Sequence, residues 1–168
     1  DVHLFVTEPD RYIDELAKCN VWGVCFQVEA EPFPLRTLNH IRSYGIKAGV
    51  GLNISTLPES LEVFSSSLDY VIVMTGEPDH EEMNFYPGTL NKIRKLRSIL
   101  PDTVEIWADG GVNRRNLMSC VAQGADHAVF GRVAYNPTIE LDELMRLNKV
   151  FNDRSRKISS KMTLQEAI

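Results

Sequence analysis

The sequence lacks the features that mark several classes of protein. Its 168 residues contain three cysteines, Cys19, Cys25 and Cys120, which is an odd number without C-x-x-C spacing. This argues against a disulfide framework or a zinc site and is typical of reduced thiols in a cytoplasmic protein. No apolar run approaches the roughly 20 residues of a membrane helix, and a net charge of −5 supplies no basic surface. We therefore expect neither a membrane nor a nucleic acid as a partner.

The sequence does contain a regular alternation of two patterns. Short runs rich in β-branched and aromatic residues predict six strands, at 2–6, 21–28, 46–53, 69–75, 104–108 and 126–131. Amphipathic segments, several of them bounded by proline or glycine, predict six helices, at 8–19, 35–45, 57–67, 87–101, 113–125 and 137–151. Because strand and helix alternate strictly, the strands should be parallel and joined by crossover helices.

A β/α barrel and an open doubly wound sheet both fit this alternation. The first strand is not followed by G-x-G-x-x-G, the main signature of the dinucleotide-binding open sheet. Polar residues instead recur at the carboxyl ends of the strands, namely His3, Gln27 with Glu29, Asn53, Thr75, Asp109 and Arg132. A TIM (β/α)8 barrel carries its chemistry at that end. We therefore predict an α/β fold of the barrel type over residues 1–153, followed by a C-terminal extension over residues 154–168.

The first candidate for chemistry is the stretch VEIWADGGV, residues 104–112. Asp109 ends a buried strand, where a carboxylate is costly unless it meets a cation or hydrogen-bond donors. Gly110 and Gly111 follow at once, and residues without a Cβ let backbone N–H groups approach an anion closely. A carboxylate beside such a turn suits a metal and a phosphorylated substrate. The alternative is an aspartate that caps the next helix.

The second candidate is His3, in the alternating run VHLFV. Val2, Leu4 and Val6 share one side of this strand, so His3 and Phe5 should point to the other side, toward the barrel axis. A lone histidine is often a core residue. With Asp109 on another inward-facing strand, a divalent cation is the better interpretation, because imidazole and carboxylate together suit Zn, Fe, Mn or Co.

The third candidate is FGRVAY, residues 130–135, which follows the last predicted strand. The loops after the last two strands of a barrel often hold a phosphate group at a helix N-terminus. Gly131 and Arg132 occupy that place. An exposed arginine after a turn glycine is an equally good interpretation.

Taken together, these residues resemble a known family. The segments DVHLFV, KAGVGLN, VIVMTGEP, a following F-x-P, KIRKLR, ADGGV and GADHAVFG are similar in order and spacing to ribulose-phosphate 3-epimerases and related sugar-phosphate epimerases. The similarity extends from residue 1 to about residue 135. It implies an eight-stranded barrel of the ribulose-phosphate-binding type, of which this chain would cover about strands three to eight, with the first two βα units missing.

The resemblance also implies roles for individual residues. His3 and Asp109 would bind the divalent cation, His3 would also contact the substrate, and Asp109 would act as one acid/base. The phosphate group would be bound by the backbones of Gly110, Gly111 and Gly131. A cavity around the reacting carbons would be lined by Met74.

The implied reaction is the interconversion of D-ribulose 5-phosphate and D-xylulose 5-phosphate, an isomerase step of pentose phosphate metabolism. A proton leaves the carbon alpha to the ketone, giving an enediolate, and a second aspartate returns a proton to the opposite face. That aspartate and two further ligands belong to strand two of the family. This chain alone would therefore not catalyse the reaction. A sugar phosphate is the expected partner, and a homo-oligomer the expected assembly.

Several residues depart from the family pattern. The segment from Asp79 to Glu82 replaces a glycine-rich phosphate loop with acidic residues, and Arg132 replaces a frequent serine and would supply a cation to the phosphate. Gln27 stands where histidine is frequent and Phe5 where methionine is frequent, and both positions should line the cavity. These changes keep two alternatives open, a divergent epimerase of another sugar and a non-catalytic homologue that serves as an assembly partner. A lyase or decarboxylase is least favoured, because no lysine follows a strand.

Overall fold

The computed structural model describes residues 1–78 and 84–131, together with residues 145, 146 and 149. Six strands form one sheet, in which every neighbouring pair is parallel. The strands are β1 (Val2–Leu4), β2 (Gly23–Gln27), β3 (Lys47–Leu52), β4 (Tyr70–Met74), β5 (Glu105–Asp109) and β6 (His127–Ala128). Their order in the sheet is their order in the chain. This is the arrangement of a barrel, since the strand order of a doubly wound sheet reverses.

Helical segments connect the strands within the described residues. The α-helices are α1 (Ile13–Ala17), α2 (Pro34–Ser43), α3 (Leu90–Ile99) and α4 (Leu117–Ala122). Segments of 3₁₀ helix, which has fewer residues per turn, are Pro9–Tyr12, Val28–Ala30, Pro58–Ser67 and Pro87–Thr89. In this part of the chain no helix is both long and apolar enough to cross a bilayer. The predicted helix at 137–151 and the predicted extension at 154–168 lie outside the described residues, apart from residues 145, 146 and 149.

The third predicted helix, at 57–67, forms a 3₁₀ helix rather than an α-helix. Ser60 and Ser65 each turn their hydroxyl back onto a backbone carbonyl three residues earlier, at 2.7 and 3.0 Å. Such bonds compete with the backbone pattern of an α-helix. Phe64 also interrupts the helix, with φ of −123° and ψ of 20°. The amphipathic pattern is kept, because Leu61 and Phe64 are still buried.

Helices cover the outer face of the sheet and the curvature of the sheet buries part of its inner face, which explains why most strand residues are apolar. The outer face packs under the helices, and its buried residues include Val24, Phe26, Ala48, Val50, Val71, Val73, Ile106 and Ala108. The inner face carries a second, smaller cluster of Cys25, Tyr70, Ile72 and Met74. Along β2 and β4, residues of the two clusters alternate with the period of two that a pleated strand imposes.

The sheet is strongly curved. His3 on β1 and Asp109 on β5 are four strand positions apart, which is roughly 19 Å in a flat sheet, yet His3 Nδ1 lies 3.9 Å from Asp109 Oδ2. Side chains of this length bridge that gap only when the strands curl toward each other. The six strands therefore form a parallel half-barrel whose inner face is concave.

Glycines on β3 make room for a large side chain inside this curve. Tyr70 is fully buried on the inner face, with its ring centroid 5.4 Å from that of Trp22 and 5.3 Å from that of Trp107. A methyl group on Gly49 would lie 2.5–2.7 Å from three ring atoms of Tyr70. The aromatic cluster of Trp22, Tyr70 and Trp107 thus lies on the inner face near the amino ends of the strands, and the candidate site lies at the carboxyl ends.

Candidate functional site

Two strands, β1 and β5, bring together the two side chains that the sequence analysis connects with a cation. His3 lies in the middle of β1, and Asp109 is the last residue of β5. The 3.9 Å between His3 Nδ1 and Asp109 Oδ2 joins side chains that are 13% and 23% exposed. Both groups therefore point into the curve of the sheet and are largely removed from water while retaining some access to it.

Burial determines the charge of the imidazole. It lowers the pKa of His3 to about 4, so the ring is neutral at pH 7 and keeps a lone pair on one nitrogen. Burial raises the pKa of Asp109, an effect opposed by the backbone N–H of Gly110, which hydrogen-bonds to the carboxylate. The separation of 3.9 Å is longer than a hydrogen bond. The pair is thus a neutral ligand beside a carboxyl group, with a gap between them.

The second ring nitrogen of His3 faces the neighbouring strands β2 and β3. His3 Nε2 is buried, without a hydrogen-bond partner among the described residues. A methyl group on Gly51 would lie 2.6 Å both from this nitrogen and from the nearest atom of the Gln27 amide. With its amide nitrogen turned toward them, Gln27 donates to the carbonyl of Gly51 at 2.9 Å and to Glu29 Oε2 at 3.2 Å. Gly51 therefore lets the imidazole and the amide lie side by side.

The turn after β5 adopts a backbone that favours glycine. Gly110 and Gly111 have φ values of 115° and 64°, which side chains other than glycine rarely tolerate. A methyl group on Gly110 would lie 2.8 Å from Cα of Gly76, in the turn after β4. The two turns are thus packed backbone against backbone, and the glycine pair exposes peptide groups next to Asp109.

Three more inner-face residues surround the pair. Phe5 follows β1, is 46% exposed, and has its ring centroid 4.3 Å from that of His3. Met74 is buried at the end of β4 and is paired in register with Asp109. Cys25 is buried on β2 opposite His3, and its pKa is raised by burial and by the charge of Asp109. The surroundings of the pair are therefore mainly apolar.

Three further predicted features concern the phosphate group, namely Gly131, Arg132 and the acidic segment from Asp79 to Glu82. Gly131 follows β6 and is partly exposed. Arg132 and the acidic segment from Asp79 to Glu82 lie outside the described residues. Their predicted contacts with a phosphate group stay predictions.

His3 and Asp109 fit part of a divalent-cation site. A cation such as zinc lies about 2.0–2.2 Å from nitrogen and oxygen ligands, so two ligand atoms of one cation are about 3.4 Å apart at the tetrahedral angle and at most about 4.3 Å apart. The 3.9 Å between His3 Nδ1 and Asp109 Oδ2 meets that limit. Within residues 1–78 and 84–131, however, no three histidine, cysteine, aspartate or glutamate side chains form a group that could hold a metal. The described chain thus offers two ligands of an incomplete site.

Sequence reasoning overlooked two glycines that shape this site, Gly51 and Gly76. The spacing of Gly49 and Gly51 in KAGVGLN could have revealed the first. Two glycines separated by one residue lie on the same face of a strand, and glycine inside a strand often marks the close approach of another group. Gly76 carries no such signal, because its contact with Gly110 depends on the packing of two turns.

Comparison with known sequences identifies relatives along most of the chain. Residues 1–135 match the ribulose-phosphate 3 epimerase family. Curated ribulose-phosphate 3-epimerases from Serratia marcescens, Methanocaldococcus jannaschii and Synechocystis sp. are 32%, 34% and 35% identical over 143, 140 and 141 residues. The matches cover 80%, 79% and 81% of this chain and 68%, 59% and 61% of the relatives. The chain thus spans about two thirds or less of the length of these relatives.

Comparison with solved structures supports the fold alone. A structure titled "Native KDPGal structure" aligns with a TM-score of 0.58 at 15% identity. The alignment covers 94% of this chain and 68% of the chain in that structure. A mutant tryptophan synthase alpha-subunit from Pyrococcus furiosus has a TM-score of 0.57 at 16% identity and covers 86% of this chain and 58% of that one. Both agree with six strands of a TIM-type barrel.

Proposed function

The chain belongs to the ribulose-phosphate 3-epimerase family, and on that premise we propose that it forms strands three to eight of a metal-dependent epimerase. The substrate would be a ketose phosphate, D-ribulose 5-phosphate or D-xylulose 5-phosphate, inverted through an enediolate at the carbon alpha to the ketone. The observation that carries the proposal is the approach of His3 to Asp109, from strands four positions apart, inside an apolar curve. A barrel kept only as a scaffold has no need of a neutral imidazole 3.9 Å from a carboxylate oxygen.

Asp109 is the proposed acid/base on one face of the reacting carbon. An acid/base works best when its pKa is near the working pH, and burial shifts the pKa of Asp109 upward, toward that range. Inversion needs a second acid/base on the opposite face, which we assign to strand two of the family barrel, outside this chain. Phe5, Gln27 and Met74 would line the cavity and exclude water from the reacting carbons.

His3 and Asp109 are the proposed ligands from this chain for a divalent cation, which when bound would stabilise the negative charge that develops on the substrate oxygens. The imidazole is suited to this because its low pKa keeps it unprotonated. At the other end of the substrate, the backbones of Gly110, Gly111 and Gly131, with the guanidinium of Arg132, would bind the phosphate group.

The test is proton exchange catalysed by the protein expressed from its complete reading frame. With Zn, Fe, Mn or Co supplied, the protein should exchange the proton alpha to the ketone of D-ribulose 5-phosphate in D₂O and form D-xylulose 5-phosphate, both followed by NMR. Asp109→Asn should lower the exchange rate by about 10²- to 10⁴-fold. His3→Asn should weaken metal affinity by at least about tenfold.

Glu105→Gln is the matched control, because Glu105 lies on the same strand as Asp109 and on the same face, but at the opposite end. It should leave exchange unchanged. If the metal-loaded protein exchanges no proton of either ketose phosphate, the proposal is wrong. If Asp109→Asn exchanges as fast as the parent protein, Asp109 is not the acid/base.

A further inference from the structure

Thr75 is a fully buried polar residue directly after β4, and it makes three hydrogen bonds to other described residues. Its backbone N–H donates to the carbonyl of Asp109 at 2.6 Å, and its carbonyl accepts from the N–H of Tyr86 at 2.8 Å. Its hydroxyl donates to the carbonyl of Gly110 at 2.6 Å. Two of these three bonds therefore end on consecutive residues of the turn that carries the candidate site.

The first bond continues the ladder between β4 and β5. The last registered pair of these strands is Met74 opposite Asp109. The bond from the N–H of Thr75 to the carbonyl of Asp109 extends the ladder by one residue on the β4 side. The carboxyl end of β5 is thereby kept from fraying at the residue whose side chain faces His3.

The hydroxyl bond of Thr75 fixes the orientation of the peptide group between Gly110 and Gly111. Gly110 and Gly111 both have positive φ, and a peptide between two glycines turns over at little steric cost. In a planar trans peptide, the C=O and the N–H point in opposite directions. Because the carbonyl of Gly110 is bonded to Thr75 on the β4 side, the N–H of Gly111 points away from β4, toward the side of β6.

We propose that Thr75 is a positioning residue, whose hydroxyl holds the Gly110–Gly111 peptide so that the N–H of Gly111 faces the phosphate group of the substrate. This rests on the proposed function, which assigns a phosphate group to that side of the turn. Gly76 completes the arrangement, because its backbone packs against Gly110 and blocks movement of the turn toward β4.

The test is binding of inorganic phosphate to the ¹⁵N-labelled protein, expressed from its complete reading frame and followed at the Gly111 amide by NMR. Thr75→Val keeps the β-branched shape but removes the hydroxyl, and it should weaken phosphate binding about five- to tenfold, as expected for one lost hydrogen bond. Thr75→Ser keeps the hydroxyl and should bind within about twofold of the parent chain. Thr75→Ala is a second variant without a hydroxyl, for use if the valine does not fit.

Thr89→Val is the matched control. The hydroxyl of Thr89 also donates to a backbone carbonyl, that of Tyr86, at 2.6 Å, and Thr89 is nearly as buried as Thr75. Loss of the Thr89 hydroxyl should lower the free energy of unfolding without changing the affinity for phosphate. This comparison separates a positioning role of Thr75 from a purely structural one.

Two results would overturn the inference, and they differ. If the parent chain binds phosphate at Gly111 and the two variants without a hydroxyl bind equally well, Thr75 does not position the peptide, and the proposed function is untouched. If phosphate leaves the Gly111 resonance of the parent chain unmoved at all concentrations, the phosphate role of the glycine turn is wrong, and the inference is wrong with it.

Discussion

The fit between Gly49 and Tyr70 allows a quantitative prediction for Gly49→Ala. The new methyl group would lie 2.5–2.7 Å from three ring atoms, whereas carbon atoms in contact normally stay about 3.5–4.0 Å apart. The ring must therefore move by roughly 1 Å, and it is fully buried against Trp22 and Trp107. Overpacking of this kind costs about 1–3 kcal/mol, and we expect the upper end because the ring is confined.

A smaller effect has the opposite sign. Alanine reduces the entropy of the unfolded chain relative to glycine and stabilises by about 0.4–1 kcal/mol where the backbone permits it. The net loss for Gly49→Ala should be about 2 kcal/mol. Urea denaturation, followed by the fluorescence of Trp22 and Trp107 beside the Tyr70 ring, measures this loss directly.

Two further variants make the prediction specific. Gly88 has no atom within 4 Å of the position of an added Cβ, so Gly88→Ala should be neutral or slightly stabilising. In the double mutant Gly49→Ala/Tyr70→Leu, the clash is removed, and the total loss should be smaller than the sum of the single losses by at least about 1 kcal/mol. A change below about 0.5 kcal/mol for Gly49→Ala would show that the interior is not packed as described and would refute the reasoning.

The other predictions concern the site and the response to pH. Gly51→Ala should displace the imidazole of His3, since its methyl group would lie 2.6 Å from Nε2; the pKa of His3, measured by NMR, should rise from about 4, and an unchanged titration would contradict this. His40 bonds Asp10 through Nδ1 at 2.9 Å, and this bond, the largest cause, raises the pKa of His40 above 6.5. A raised pKa contributes stability that is complete below pH 6.5 and is lost as the pH rises through the folded-state value. His40→Gln should therefore destabilise the protein by less than about 1 kcal/mol at pH 6, after solvent screening, and by less at pH 9, where the ring is neutral but still contacts Tyr44; equal losses at both pH values in urea denaturation would argue against the charged pair.

The topology could be predicted from the sequence because strand and helix alternate strictly and the strands are apolar on both faces. These features are local, and they fix parallel pairing and crossover connections without knowledge of distant contacts. Boundaries were less accurate: β1 was predicted over residues 2–6 and ends at Leu4. Residues at strand ends are decided by pairing with the neighbouring strand, which the sequence does not display.

The candidate site also has features that could be predicted from the sequence and features that could not. The alternation of VHLFV places His3 on the inner side, and the glycines after Asp109 indicate a turn that exposes backbone, so both residues could be singled out in advance. The distance between them could not, because it depends on the curvature of the whole sheet. The role of Thr75 was also hidden, since a buried threonine after a strand is ordinary until its hydroxyl is seen on the carbonyl of Gly110.

The two halves of the candidate cation pair are held with unequal firmness. Asp109 belongs to a five-residue strand that has a bonded neighbour on each side, whereas His3 belongs to a three-residue strand that, among the described residues, is bonded to β2 alone. In the proposed complete barrel, the open edge of β1 would pair with strand two of the family, which would hold the imidazole opposite the carboxylate. The separation of the two proposed ligands would then depend on the pairing of strand two with β1, and substitutions that weaken that pairing should lower metal affinity.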